Sequence, residues 1–182
     1  EHTFFNTDVH ELDITNAEAI DKFVSSNNID IIINCAAYTA VDKAESNKEL
    51  CQVLNADAPA YLAKAISKRN GWMIQVSTDY VFDGTKNTPY VETDSPCPNS
   101  VYGSTKLDGE KAVEQACKNT MIIRTAWLYS SFGNNFVKTM MRLGKEKDEL
   151  NVIFDQIGTP TYARDLAIAI MTAVEKGIVP GI

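Results

Sequence analysis

The chain has 182 residues, 45% of them hydrophobic, and a formal net charge of −7 at pH 7. This length and composition predict one domain spanning residues 1–182 with a sizeable core. The acidic balance argues against nucleic acid as a main partner. No run of roughly eighteen apolar residues predicts a membrane span, and no secretory signal opens the chain.

The cysteines and histidines are too few and too scattered to indicate a metal site. The four cysteines form no C-x-x-C pair, and the histidines are His2 and His10, both near the start. We therefore expect reduced cysteines in a cytoplasmic protein, no metal site and no histidine-based catalytic triad.

Apolar runs alternate with amphipathic segments along the chain. Strands are predicted at 4–8, 29–34, 72–77, 121–125 and 150–154, and helices at 15–26, 45–69, 100–118, 134–146 and 161–176. A capping box of Thr15 and Glu18 opens the first helix, and Pro59 predicts a kink or break near Ala58. Three prolines make residues 85–99 a surface loop. The alternation predicts a doubly wound, mostly parallel α/β sheet with right-handed crossovers.

The beginning of a dinucleotide-binding fold is not found in the sequence. Such folds open with a strand, a glycine-rich turn and a helix whose N-terminus binds the pyrophosphate. No G-x-G-x-x-G occurs, and residues 4–8 look like a second strand that ends in Asp8. We therefore expect the first β-α unit, about 30 residues, to be missing. More chain is also expected after residue 182.

The strongest chemical signal is Tyr102-Gly103-Ser104-Thr105-Lys106. Tyr102 and Lys106, at i and i+4, share one face of a helix. A lysine ammonium favours the phenolate, so we expect Lys106 to lower the pKa of Tyr102 towards the range useful for proton transfer. An ordinary aromatic–cation pair on a helix surface is the alternative interpretation.

Two predicted strand ends accompany this pair. Ser77 and Thr78 follow the strand at 72–77, where ligands bind in open α/β sheets. A hydroxyl there is placed to bond the oxygen that Tyr102 protonates, although both residues also suit turn capping. Small residues at 34–39 leave room for a flat cofactor, or for tight packing of the strand against a helix.

Six segments in order resemble the extended short-chain dehydrogenase/reductases and, within them, the dTDP-4-dehydrorhamnose reductase family. They are NCAAYTAVDKAE (34–45), STDYVFDG (77–84), NSVYGSTKLDGEKAV (99–113), RTAWLY (124–129), GNNFVKTM (133–140) and DQIGTPTYARDLA (155–167). The resemblance runs from about Asp8 to Lys176. It implies a Rossmann-like fold that lacks most of the C-terminal substrate lobe, a nicotinamide cofactor (NADH or NADPH) and a nucleotide-sugar substrate.

The resemblance also implies roles for matching residues. Tyr102 would protonate the C4 oxygen of dTDP-4-dehydro-L-rhamnose as the nicotinamide delivers a hydride, Lys106 would hold the nicotinamide ribose, and Thr78 would orient the carbonyl. The implied substrate contacts are Thr78, Asp79 and Trp127. The implied cofactor contacts are Asp8, Asp13, Ile14, Ala37, Tyr38, Thr39, Tyr102 and Lys106. An acid at Asp8 repels a 2′-phosphate, which favours NADH over NADPH.

Other functions stay open on the sequence alone. An epimerase or 4,6-dehydratase shares the Tyr/Lys pair, although Tyr80 follows Asp79 where dehydratases carry an added acid. A non-catalytic subunit similar to the regulatory subunit of methionine adenosyltransferase keeps related segments, but 124–129 and 133–140 favour the reductase. Without the glycine-rich loop, activity of the chain by itself is in doubt. The oligomeric state is also open, a homodimer being one alternative.

Overall fold

The computed structural model describes residues 2–182, which form two compact units. The first runs to Arg124 and includes Val179–Ile182, and the second is Thr125–Ile178. The helices are Ala17–Ser26 (α1), Val41–Ala44 (α2), Lys48–Gln52 (α3), Ala58–Ser67 (α4), Val101–Ala116 (α5), Phe136–Glu146 (α6) and Ala163–Lys176 (α7). The strands are Ile31–Asn34 (β1), Trp72–Thr78 (β2), Thr120–Thr125 (β3), Leu128–Tyr129 (β4) and Thr161–Tyr162 (β5). That residues 1–182 form one domain remains a prediction, because the division into two compact units does not test it.

Strands β1, β2 and β3 form a sheet in that order. β1 and β2 are parallel, with Ile31 opposite Trp72 and Asn34 opposite Gln75. Because β1 and β2 run in the same direction, α3 and α4 must return the chain between them, as a parallel crossover requires. The α/β class with parallel strands is therefore confirmed.

The core of the first unit lies between the sheet and three helices. Ile20 and Val24 of α1 are four residues apart and so share one helix face, which packs with Ile66 of α4 and Val113 of α5. All four side chains are at most 3% exposed. Burial of a continuous apolar stripe from each helix holds these elements on the sheet.

The predicted break near Ala58 is confirmed. A π-helical turn, Val53–Asp57, separates α3 from α4, and Pro59 lies in the first turn of α4. Proline is tolerated there because the π-helical turn before it replaces the regular i to i−4 pattern, in which Pro59 has no N–H to donate. The turn displaces the chain locally, and Asn55, 1% exposed, lies within it.

Three local predictions are wrong. Asn16, not Thr15, caps α1 by accepting from the backbone N–H groups of Glu18 and Ala19, because the Thr15 hydroxyl instead donates to Asp13. Residues 4–8 and 150–154 form no strand. A strand needs a hydrogen-bonded neighbour, and neither segment finds one among residues 2–182.

The second unit is built around a two-stranded parallel sheet. Leu128 lies opposite Thr161, and Tyr129 opposite Tyr162, so the strand pair joins the segments before α6 and before α7. The rings of Tyr129 and Tyr162 stack at 5.3 Å between centroids. Across residues 2–182, no helix is both long and apolar enough to span a bilayer.

Candidate active site

The carboxyl end of β2 carries Thr78 into a short 3-10 helix, Asp79–Val81. Thr78 is the N-cap of that helix, and its Oγ1 accepts from the Tyr80 N–H at 3.2 Å. The same hydroxyl bonds Asp79 Oδ1 at 3.1 Å. Since the side chain is only 5% exposed, these two bonds fix the orientation of the hydroxyl at the strand end.

Helix α5 begins close to this strand end. Ser100 caps it by accepting from the Gly103 N–H at 3.0 Å. A Cβ on Gly103 would lie 2.1 Å from the Tyr80 carbonyl oxygen, so only glycine allows this approach. The approach brings the Tyr102 ring against the Tyr80 ring, edge to face, with centroids 5.5 Å apart.

Lys106 is one turn further along α5 and is buried, with 3% of the residue exposed. Its Nζ donates to the Val76 carbonyl oxygen of β2 at 2.7 Å. Burial lowers the pKa of Lys106 from 10.5 to about 8, although the carboxylate of Glu110 and the thiols of Cys35 and Cys51 oppose that change. The i, i+4 prediction that Tyr102 and Lys106 share a face is confirmed by their common approach to β2.

The expectation that Lys106 lowers the pKa of Tyr102 is wrong for this structure. Burial raises the pKa of Tyr102, and the nearby charge of Asp79 raises it further, whereas hydrogen bonding with Thr78 lowers it. The Lys106 ammonium is directed to Val76. Burial also raises the pKa of Asp79. Loss of hydration therefore dominates the electrostatics of this strand end.

The loop after β1 holds Ala37, Tyr38 and Thr39. The side-chain amide of Asn55 clamps this loop, since its Oδ1 accepts from the Tyr38 N–H at 2.8 Å and its Nδ2 donates to the Tyr38 carbonyl at 3.2 Å. The preceding Ala36 is exposed, and its N–H donates to Asn34 at 3.1 Å. Ala36, Ala37 and Thr39 have small side chains, and Asn55 holds the backbone of their loop in place near the buried Lys106. Such a loop has room for a flat dinucleotide.

Asp8, Asp13 and Ile14 are not brought to this group by any hydrogen bond or ion pair of the described residues. The Asp8 carboxylate accepts from the N–H of the next residue, Val9, at 2.5 Å. Hydrogen bonds from the side chain and backbone of Thr15 lower the pKa of Asp13. Ile14 packs on the core of the first unit. Each residue thus has a local structural role in addition to any cofactor contact.

Trp127 lies in the second unit and has an unusual backbone. Its φ is +47°, a left-handed conformation that bulky residues rarely adopt. The Trp127 carbonyl oxygen accepts from the Thr161 N–H at 3.3 Å, next to the β4–β5 pair. The side chain is 45% exposed. Backbone strain at an exposed aromatic residue is a reason to test Trp127 for function.

Sequence reasoning missed four polar residues that support the strand end and the β1 loop. They are Asn55, Ser77 as a partner of α5, Glu110 and Arg124. One signal was available for Arg124, because a charge inside the apolar run Met-Ile-Ile-Arg-Thr predicts a buried partner. Glu110 continues the i, i+4 series of Tyr102 and Lys106.

Comparison with known proteins identifies the family. The family model described as the RmlD substrate binding domain matches residues 1–180. The chain belongs to this RmlD family. The 48% identity to the dTDP-4-dehydrorhamnose reductase of Escherichia coli (strain K12) covers 96% of this chain and 61% of that relative. The chain therefore spans about three fifths of the length of such relatives.

Solved structures of RmlD-like reductases agree with the fold. The dTDP-4-dehydrorhamnose reductase of Bacillus anthracis, in complex with NADP, gives a TM-score of 0.94 at 41% identity, covering 97% of this chain and 63% of that one. The ortholog from Clostridium acetobutylicum gives 0.91 at 48% identity, covering 93% and 60%. The resemblance to this reductase family and the Rossmann-like fold are thereby confirmed.

Proposed function

We propose that the full-length RmlD-family protein containing this chain reduces the C4 keto group of dTDP-4-dehydro-L-rhamnose to dTDP-L-rhamnose. The observation that carries the proposal is the convergence of Thr78, Tyr102 and Lys106 at the carboxyl end of β2. The names and high identities of the matching reductases support the substrate class.

Tyr102 is the proton donor in this proposal. Its raised pKa keeps the hydroxyl protonated at neutral pH, so the proton is available for an oxygen that gains negative charge. Thr78 places a second hydroxyl beside Tyr102, and it would donate to the same oxygen in place of Asp79 Oδ1, its acceptor in this structure. Since both groups are largely shielded from water, their hydrogen bonds stabilise developing charge more strongly than solvent would.

Lys106 has the charge and free donors needed to hold a cofactor ribose. With a pKa of about 8, it is mostly protonated at neutral pH. One N–H of the ammonium is directed to Val76, and an ammonium has three donors, which leaves two for ligand hydroxyls.

We propose a nicotinamide dinucleotide as the cofactor, which when bound supplies the reducing equivalent. The backbone of residues 37–39 and the small side chains of Ala37 and Thr39 would lie against it, with Tyr38 as a further contact. Asp8, Asp13 and Ile14 stay predictions as contacts of its adenosine half. A preference for NADH, inferred from Asp8, gains no support, because the B. anthracis reductase is in complex with NADP. Parallel assays with NADH and NADPH decide the preference.

The direct test of the proposed site is Tyr102→Phe in the full-length protein. We expect the rate of dTDP-L-rhamnose formation to fall by about 10²–10⁴-fold, the usual contribution of a positioned proton donor, with cofactor affinity retained. Tyr61→Phe is the matched control, since it removes the same hydroxyl from α4 on the core side of the first unit. Full activity of Tyr102→Phe would contradict the proposal.

A further inference from the structure

Glu110 is a buried carboxylate that the proposed reaction does not use. It is 2% exposed, and it follows Tyr102 and Lys106 at the next i+4 position of α5. A buried carboxylate is costly unless its oxygens are paired. Arg124 of β3 supplies two bonds, from Nε to Oε1 at 3.0 Å and from Nη2 to Oε2 at 2.6 Å.

The third bond to Glu110 comes from the strand that carries the active-site threonine. Ser77 Oγ, on a residue 3% exposed, donates to Glu110 Oε1 at 2.5 Å. Ser77 directly precedes Thr78, so its position constrains the peptide that places the Thr78 hydroxyl. The carboxylate thus joins the end of β2 to the helix that carries Tyr102 and Lys106.

Three neighbouring residues of β2 contact three successive turns of α5. Thr78 interacts with Tyr102, Val76 accepts from Lys106, and Ser77 donates to Glu110. The first two contacts belong to the proposed reaction. The third is made by Glu110, one helical turn beyond Lys106 on α5, and it holds the same two elements together.

Arg124 of β3 holds both oxygens of the carboxylate. Its guanidinium lies 5.1 Å from the centroid of the Phe82 ring, which follows the 3-10 helix at the strand end. A bidentate arginine restrains both oxygens of Glu110 and balances the buried charge. Both oxygens of Glu110 are therefore held in place, with Oε1 accepting from Ser77 and Arg124 and Oε2 from Arg124.

We propose that Glu110 is a positioning residue, held by Arg124, whose bond to Ser77 sets the distance between Thr78 and the Tyr102–Lys106 face of α5. This inference rests on the proposed function for its kinetic consequence. The arrangement also places the negative charge one helical turn from Lys106. The other titratable groups that face Lys106 are the thiols of Cys35 on the β1 loop and Cys51 on α3.

The first test compares Ser77→Ala and Glu110→Gln with Glu114→Gln in the full-length protein. Glu114 is one turn beyond Glu110 on α5 and exposed, so it is a matched charge-removing control. We expect Ser77→Ala to lower kcat about tenfold, the cost of a small misplacement of a catalytic group, with KM nearly unchanged and the melting temperature lowered by a few degrees because a buried carboxylate loses one donor. Glu114→Gln leaves kcat unaltered.

The second test follows the protonation of Lys106 by NMR of lysines labelled with ¹³C at Cε, with Lys106→Met providing the assignment. Glu110→Gln should lower the pKa of Lys106 by about half a unit or more, because an opposing charge is lost, and Glu114→Gln should not. An unchanged pKa in Glu110→Gln would contradict the placement of this charge beside Lys106, and the kcat of Ser77→Ala decides whether the bond to Ser77 positions Thr78.

The outcomes separate the two proposals. An inactive wild-type protein refutes the reductase proposal. An active wild type whose Ser77→Ala variant retains full kcat refutes the positioning role of Glu110. If Glu110→Gln does not fold because Arg124 loses its partner, Ser77→Ala decides, since it leaves the Glu110–Arg124 pair intact.

Discussion

The two compact units differ in how their residues are held. In the first unit, the proposed catalytic groups lie on elements joined by buried polar contacts, such as Glu110 with Ser77 and Arg124. In the second, Ile170 is the one buried residue among those described, and Phe154 is 99% exposed. Helix α6 buries none of its residues.

This difference indicates that side chains can be held in fixed positions more precisely in the first unit than in the second. Catalysis needs groups that stay in place as charge develops, and the first unit supplies them from a strand, a helix and their buried supports. The second unit presents exposed aromatic and aliphatic side chains and has few buried contacts that could hold a catalytic group in place. Substitutions matched across the units test the contrast.

The largest expected difference is kinetic. Thr78→Val removes one hydroxyl and should lower kcat by about 10²-fold or more, the cost of losing an oxyanion donor. Trp127→Phe, at the implied substrate contact of the second unit, should raise KM about threefold to tenfold and leave kcat within about twofold. Steady-state kinetics of the full-length protein measure both. An equal loss of kcat in the two variants would contradict the assignment of proton transfer to the first unit and of substrate binding to Trp127.

Matched glycine substitutions test packing in the two units. A Cβ on Gly109 of α5 would lie 2.0 Å from the Asn55 carbonyl oxygen, whereas one on Gly144 of α6 meets no atom within 4 Å. Gly109→Ala should cost about 3 kcal/mol of unfolding free energy through overpacking. Gly144→Ala should gain about 0.5–1 kcal/mol from lower backbone entropy. Urea unfolding checks both, and similar values would refute the contrast.

A smaller effect concerns the pH dependence of stability. The folded pKa of Lys106 is about 8, below its ordinary 10.5. The unfolded chain therefore binds more protons between these values, and stability rises with pH through that window. Wild type should gain about 2 kcal/mol between roughly pH 7 and pH 9.5 relative to Lys106→Met. Lys145→Met, which alters an exposed lysine of α6, should show no such difference from wild type.

The elements that the sequence predicted best are those with a strong local cause. A nearly continuous β-branched run at 29–34 predicted β1, an apolar run at 72–77 predicted β2, and Pro59 predicted the break before α4. The apolar run at 150–154 looked the same, yet it forms no strand, because pairing depends on a neighbour that local pattern does not reveal. Asn16 caps α1 in place of Thr15, because the Thr15 hydroxyl donates to the Asp13 carboxylate.

Only the residues that stand in recognisable motifs could be predicted at the site. Tyr102, Lys106 and Thr78 were identified from their motifs, and the structure brings them together. The direction of the Tyr102 pKa change was wrong, because burial is a tertiary property that an i, i+4 spacing does not report. The bond between Ser77 and Glu110 spans 33 residues and could not be inferred from local spacing.

The most direct measurement is the stoichiometry of reduced nicotinamide consumed per molecule of dTDP-4-dehydro-L-rhamnose converted by the full-length protein. A reductase consumes its cofactor, whereas epimerases and dehydratases of this fold recycle it. We predict one equivalent consumed for each dTDP-L-rhamnose formed, and loss of this consumption in Tyr102→Phe. Conversion of the sugar without net consumption, or no conversion with either NADH or NADPH, would contradict the proposed function.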